Sequence, residues 1–487
     1  MQPIDKMSLS LMGILTLLIG GAIAATKACG SNCLWEAGPR LQSFSWQDKA
    51  VGVGERAFIL TFDRPMNQDS VEANLVINPP LPGKVSWAGR RLAYTLNSPI
   101  PYGETYQVQL RDAREQFRDG RLGATIQPFI GEFRSRDRAF AYIGIQGEER
   151  GRLILYNLTE KRKTFLTSPD LVVSDFQFSP QGDRILFSAA AKALGTQGIK
   201  QLELYTVKVP ADNEKAGDAQ RVLDSEAYQN QQFELSPDGE TIVVQRIARD
   251  NPADFGLWTV KPEEPPKPLK VQGGEFAIAP DGQSLAVAKG EGISILPLQP
   301  GASPIDFLPK FGQLLSFSPD GTAAAMVDFN TDNPNLRYRR SLFYVNNRGV
   351  EKELLTLEGS ILDCKFNPQG SELYCLLSQL LNKDQYQEQP YFVKIDLKTA
   401  KITPLAALPN FQHIQSSLAP DGLAIIFDQV TTSNSPYVND ILTSRSGAPI
   451  IDGRLWLLLP PSPSAPAGTK PQVEPLPLVG FHPQWMP

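Results

Sequence analysis

Phe176-Gln177-Phe178-Ser179-Pro180-Gln181-Gly182 reads as a short strand running into a tight turn, and it is the first of a series. The cassette, apolar-x-apolar-x-Pro-x-Gly, returns at 233–239, 276–282, 315–321, 364–370 and 416–422, six copies in all. Val479-Gly480-Phe481-His482-Pro483 reads as a seventh copy without its glycine. Aligned on the proline, the residue two before it is Phe178, Leu235, Ile278, Phe317, Phe366, Leu418 or Phe481, apolar every time. Four before it stand Phe176, Phe233, Phe276, Leu315, Cys364, Ser416 and Val479, apolar or small. Three before it, on the opposite face, stand Gln177, Glu234, Ala277, Ser316, Lys365, Ser417 and Gly480. A period of two is a strand. Proline presets the first turn angle, and glycine supplies the positive φ that reverses the chain.

The chain after each turn repeats as well. Three past the glycine come Ile185, Ile242, Leu285, Ala324, Leu373 and Ile425; five past it come Phe187, Val244, Val287, Met326, Cys375 and Phe427. Each cassette is therefore a hairpin. Two weaker strands follow, as at 202–207 with 220–223, and at 391–395 with 401–404. Four strands every ~40–60 residues is the period of a propeller blade. The cassettes resemble the TolB-like (PD40, WD40-like) propeller repeat, whose Ser-Pro-Asp-Gly signature stands whole at Ser236 and Ser318. Residues 139–145, 152–157 and 163–167 read as three strands lacking a cassette, and the copy at 479–483 lacks following strands. Joined, they make one blade from both ends of the segment, a closure that removes exposed sheet edges. Seven blades are expected, or six if one weak repeat is misread.

Before the repeats, from Arg40 to Arg136, lie strands with one apolar face. They include 57–62, 91–96 (Leu92, Tyr94, Leu96) and 105–110 (Tyr106, Val108, Leu110). Such strands suit a sandwich of two antiparallel sheets. Phe62-Asp63-Arg64-Pro65-Met66, Asp69-Ser70-Val71 and Ser98 to Tyr106 with its Pro-Tyr-Gly turn, followed by a closing strand near 129–133, resemble the bacterial Ig-like domain of SbsA-type surface-layer proteins. That resemblance implies a spacer or adhesion module without catalytic residues. The Pro-Met and Pro-Tyr-Gly segments read as turns and core plugs.

Residues 1–28 differ from all that follows. Met7 to Ala25 carries no charge and ends in small residues, between Asp5-Lys6 and Lys27. Its length fits both a spanning helix and the core of an export signal. An uncleaved anchor, reaching the membrane through an N-terminal hydrophobic helix, and a cleaved signal both stand open. Either places the protein outside the cytoplasm. The expected organisation is thus 1–28 signal or anchor, 29–39 linker, 40–136 SbsA-type Ig-like domain and 137–487 propeller, an all-β protein with one terminal helix.

Composition narrows the function. A net charge of −5 without a long basic run argues against a nucleic-acid partner. Only His413 and His482 are histidines, and there is no Gly-x-Ser-x-Gly, His-Glu-x-x-His or phosphate-binding Gly-Lys-Ser/Thr loop. No cofactor, metal or catalytic residue is expected. The two histidines read as core or channel filling. The connections at about 189–201, 246–255, 329–340, 379–390 and 429–453 look long, and in a propeller they share one face. Arg337, Tyr338, Arg339 and Arg340, with Tyr437, Asp440 and Arg445, are the candidate binding face, since aromatic and arginine side chains favour interface hot spots. The expected partner is a protein or glycan of the cell envelope, engaged without catalysis. The alternative is a hydrolase or lyase working in the central channel, where Glu234 and Lys365 lie on inner strands. Cys364 and Cys375 occupy facing columns of one hairpin, so they are cross-strand neighbours; they serve as small buried hydrophobes or as a disulfide.

Overall fold

The computed structural model describes residues 38–487 except 117–122, 211–215, 291, 302, 332, 337, 410, 412, 434–441, 445–446, 462–464 and 467. Its regular secondary structure is almost entirely β-strand. Two compact units emerge. The first holds Arg56–Ile100, Thr105–Arg134 and the described residues up to Val51; the second holds Gly52–Glu55, Pro101–Glu104 and Ser135–Pro487.

The first unit is a pair of four-stranded antiparallel sheets. One runs Leu41–Phe44, Ala57–Phe62, Arg91–Leu96, Gly83–Ala88, and the other Ala50–Val51, Phe129–Ser135, Thr105–Leu110, Leu75–Asn78. Alternation sends Phe58, Leu60 and Phe62 inward from one sheet and Tyr106, Val108 and Leu110 from the other. The Phe44 ring lies 5.3 Å from Phe58 in its own sheet and 6.0 Å from Phe133 across the interior. Met66 and Ile100 are both buried beside the turns that carry them. A short helix, Gln68–Asn74, was not anticipated; Asn67 caps it by accepting a hydrogen bond from the Ser70 amide at 2.8 Å.

Every complete cassette in the second unit closes its turn in one way. The glycine amide donates to the carbonyl three residues back, at 2.8–2.9 Å, from Gly182, Gly239, Gly282, Gly321, Gly370 and Gly422. Each of these glycines has φ between 67° and 76°, a region costly for side chains bearing a Cβ. In two turns the serine and aspartate lock together, Ser236 Oγ donating to Asp238 and Ser318 Oγ donating to Asp320 at 2.6 Å.

The hairpins grow into sheets whose neighbours follow chain order. Four-stranded sheets cover Leu171–Leu223, Tyr228–Pro268, Phe276–Leu308 and Ser416–Pro475. Between the last two runs a seven-stranded sheet, Gln313 to Ala407. Its long strand, Glu351–Phe366, pairs with Arg339–Asn346 up to Glu358 and with Glu372–Asn382 from Gly359 onward. Gly359, at φ 138°, marks that change of partner.

One further sheet uses both ends of the unit. Its order is Arg162–Phe165, Leu153–Asn157, Ala139–Gly144, Gly480–Trp485. One apolar cluster joins Ala141, Ile143 and Phe481 to Phe176 and Phe187, and another joins Phe140, Tyr142 and Trp485 to Ile426 and Leu455. The shared sheet thus packs on the first sheet by one face and on the last by the other.

The register corrects the expected seventh copy. In complete cassettes the residue before the proline donates its amide across the turn: Ser179 to Arg184, Ser236 to Thr241, Ala279 to Ser284, Ser318 to Ala323, Asn367 to Glu372, Ala419 to Ala424. The matching bond at the chain's end is Met486 N to Ala139 O, with Trp485 opposite Phe140. The cassette proline is therefore Pro487, not Pro483, and Trp485 takes the place assigned to Phe481. An irregularity between Phe481 and Gln484 absorbs the difference.

Two connections expected to be long are strand instead. Glu372–Asn382 and Gln387–Asp396 extend as a hairpin arm through most of 379–390, where no glycine interrupts pairing. Arg246 and Phe255 lie inside strands, leaving a short link at 249–254. Among the described residues no helix is long and apolar enough to cross a membrane; the stretch 1–28, with Cys29 and Cys33, lies outside them.

Candidate functional site

The column three before the proline is neither core nor fully solvated. Gln177, Glu234, Ala277, Lys365, Ser417 and, in the corrected register, Gln484 line two adjoining cavities of about 890 and 660 Å³. The column five before the proline supplies Asp175, Gln232, Glu275, Leu314, Asp363, Gln415 and His482 to the same walls. All seven leading strands thus contribute. Alternation explains it: residues at −4 and −2 pack between sheets, so −3 and −5 turn away from that core.

Asp175, Phe233, Glu234, Leu362, Asp363 and Lys365 line both cavities and mark their junction. Here Lys365 Nζ lies 3.3 Å from Asp363 Oδ1, and His482 Nδ1 lies 3.3 Å from Asp175 Oδ1. The His482 ring also packs at 5.0 Å from Phe176 and sits 3.0 Å from Gln484 Nε2. Glu234 Oε2 accepts the Ile278 amide at 2.8 Å, as Gln177 Oε1 accepts that of Leu235 at 2.9 Å, so neighbouring leading strands are tied through their −3 side chains. Burial pushes the Glu234 carboxyl up to about 7, against the opposing pull of the Ile278 N–H and the Lys365 ammonium.

Behind this wall Asp428 is fully buried on a second strand. It accepts the Gln415 amide at 2.7 Å and the His482 amide at 2.8 Å, fixing two leading strands at once. Nothing in its local sequence announces that role. The −5 column is polar or charged in five of the six complete cassettes, a pattern present in the sequence; His482 joins it only in the corrected register.

Three members of the sequence-derived binding face are described. The Tyr338 ring meets that of Tyr386 at a tilt of 43°, centroids 6.2 Å apart, and Arg340 lies 5.1 Å over Phe329. Arg339 pairs with Glu358 at 3.7 Å, and Lys383 reaches the same carboxylate at 3.0 Å. Tyr386 and Leu381, which the sequence did not single out, are more than half exposed beside them. Arg337, Tyr437, Asp440 and Arg445 lie outside the described residues. Cys364 and Cys375 face each other in register and are joined by a disulfide. Among the described residues no group of three His, Cys, Asp or Glu side chains is placed to hold a metal.

No family model and no curated protein matches the chain. Solved structures do resemble it. TolB from Acinetobacter baumannii aligns over 85% of this chain and 83% of its own at 11% identity and TM-score 0.40. An oligogalacturonate lyase from Vibrio parahaemolyticus aligns over 68% of this chain and 95% of its own, at 11% identity and TM-score 0.44. A putative 6-phosphogluconolactonase from Bacteroides fragilis covers 66% and 98%, at 13% identity and TM-score 0.37. Likeness this distant, to a TolB and to proteins titled as enzymes alike, decides no function.

Proposed function

We propose that 137–487 is a seven-bladed TolB-like propeller, that 40–136 is an SbsA-type Ig-like module, and that 1–28 exports or anchors the chain. In this reading the protein is a non-catalytic binding or scaffold protein of the cell envelope, outside the cytoplasm. Its partner is a protein or glycan met by the ends of the second and third strands. The observation that carries this is the cluster Tyr338, Arg339, Arg340, Leu381, Lys383 and Tyr386, where two neighbouring strand hairpins present aromatic, apolar and cationic groups together. A rigid surface rich in aromatics and arginine loses little entropy on binding. Photocrosslinking from position 386 in envelope preparations tests it: one recurrent adduct, lost in Tyr338→Ala with Arg340→Ala, is expected. Absence of any adduct, or adducts indifferent to those changes, contradicts it.

A second reading keeps the cavity as a site of chemistry. It is favoured by the Asp175–His482 pair beside Glu234, a carboxyl that exchanges its proton near neutrality and so suits acid–base work. Turnover of an ester, lactone or uronate substrate that Glu234→Gln abolishes is what this reading requires.

A further inference from the structure

A closed circuit of polar contacts surrounds Phe176 where Gly480–Trp485 meets the leading strand Leu171–Phe178. The Phe176 amide donates to Asp175 Oδ1 at 2.8 Å, and the Phe176 carbonyl accepts from Gln484 Nε2 at 2.7 Å. His482 bridges the two side chains: Nδ1 lies 3.3 Å from Asp175 Oδ1, and Nε2 lies 3.0 Å from Gln484 Nε2. Its side chain is only 12% exposed, and the ring packs on that of Phe176. Asp428 Oδ2 holds its amide at 2.8 Å with the backbone left-handed, φ 53°. A pinned backbone and a packed ring keep both nitrogens in place.

The protons of this circuit follow by elimination. A carbonyl only accepts, so Gln484 must keep its nitrogen toward Phe176, and turning the amide over breaks that bond. An amide nitrogen only donates, so His482 Nε2 must accept from it through a lone pair. A neutral imidazole carries one proton, which is thereby confined to Nδ1, beside the Asp175 carboxylate. In that state every donor faces an acceptor. A second proton, taken from water, goes onto Nε2 and sets one donor against another at 3.0 Å. A hydrogen bond to a charged group outweighs a neutral one, so the Gln484–Phe176 bond is the contact that yields. The amide then turns, gives Oε1 to the charged ring and releases the Phe176 carbonyl.

Asp175 is the carboxylate in contact with the ring. Gly480–Trp485 contains no other titratable side chain, and Ala139–Gly144 brings only Tyr142, whose hydroxyl donates to Glu149. The segment 413–428 brings His413 and Asp428, and both Asp428 oxygens take backbone amides. The other walls of the cavity bring Glu234, tied to the Ile278 amide, and Asp363, paired with Lys365. We propose that His482 and Gln484 form a proton-operated switch: beside a neutral ring the amide is a donor fastened to Phe176, and beside a charged ring it turns and presents an acceptor. The charge on one imidazole thus sets whether this stretch of cavity wall offers N–H or C=O. It also sets whether Gly480–Trp485 keeps this tie to the strand of Asp175. The switch depends on neither the Tyr338–Tyr386 surface nor turnover in the cavity.

Magic-angle-spinning NMR of the full chain tests the switch with two sets of labels. Histidine labelled with carbon-13 and nitrogen-15 gives two rings, His413 and His482, told apart by His413→Gln. At about pH 8 the His482 ring carries its proton on Nδ1 alone, and by about pH 5 on both nitrogens. Carbonyl-labelled phenylalanine with nitrogen-15 glutamine selects the two Phe-Gln bonds of the chain, at Phe176 and Phe411, told apart by Gln412→Asn. The Phe176 carbonyl signal moves to that of an unbonded carbonyl over the same pH range in which the ring gains its second proton. In Gln484→Leu it lies there at both pH values. Should that variant misfold, His482→Asn serves instead, and its Phe176 signal does not change with pH. A ring protonated on Nε2 at about pH 8, a ring still neutral at about pH 5, or a Phe176 signal indifferent to the ring's charge overturns the switch. Photocrosslinking from position 386 and turnover in the cavity are untouched by that failure, so each falls separately.

Discussion

Asp175 and His482 meet at 3.3 Å although 306 residues of chain lie between them. One belongs to the first complete hairpin and the other to the strand Gly480–Trp485. The contact exists because Gly480–Trp485 adds to Ala139–Gly144, and the shared sheet then lies against the sheet that carries Asp175.

Removing that last strand is therefore costly. A chain ending at Leu478 leaves Ala139–Gly144 as an unpaired edge and strips Phe481 and Trp485 from two apolar clusters. Burying each large side chain contributes about 2 kcal/mol, so the truncated protein is expected to melt several degrees lower and to self-associate. Calorimetry and size-exclusion chromatography check both.

Glu234 makes stability depend on pH. Its carboxyl sits at about 7 in the folded protein against an ordinary 4.5. Between those values the folded chain keeps a proton the unfolded chain has given up, so this contribution is whole below pH 4.5 and is lost as pH rises through 7. Glu234→Gln should match the parent at pH 4.5 and exceed it by about 1–3 kcal/mol at pH 8, read from urea melts.

The cassette glycines are conformational requirements. At Gly239, φ 76°, an added Cβ meets nothing nearer than 3.6 Å, so Gly239→Ala isolates the backbone cost. About 1 kcal/mol of lost stability is expected, with the Ser236–Asp238 hydrogen bond retained. Equal stability would mean that the turn relaxes out of its left-handed corner.

The Cys364–Cys375 bond closes a short hairpin, 11 residues apart in sequence. Its loss through Cys364→Ser with Cys375→Ser should cost about 2–3 kcal/mol, chiefly by freeing the unfolded chain. Alkylation of the native, unreduced protein followed by mass spectrometry should leave both sulfurs unlabelled.

Much of this was legible because strands announce themselves by period two. The −2 and −4 columns pointed to the core, and the −3 column to Gln177, Glu234 and Lys365 on the cavity wall. What escaped was whatever depends on register rather than pattern. Pro483 imitates a cassette proline, but a bulge places Pro487 there, and no local feature distinguishes the two. The hairpin arm around Tyr386 looked like a loop because its residues are polar, and cross-strand pairing overrides that signal. Asp428 is invisible from sequence, since its partners are backbone amides of Gln415 and His482, distant in the chain.

The shared sheet and the cavity wall both depend on the tail completing the sheet begun at Ala139. Hydrogen exchange at the amides of 480–485, followed by mass spectrometry, measures this most directly. Protection comparable to that of the leading strand 171–178 is predicted. Exchange as fast as that of free peptide would contradict the shared sheet, and with it the cavity wall that His482 and Gln484 complete.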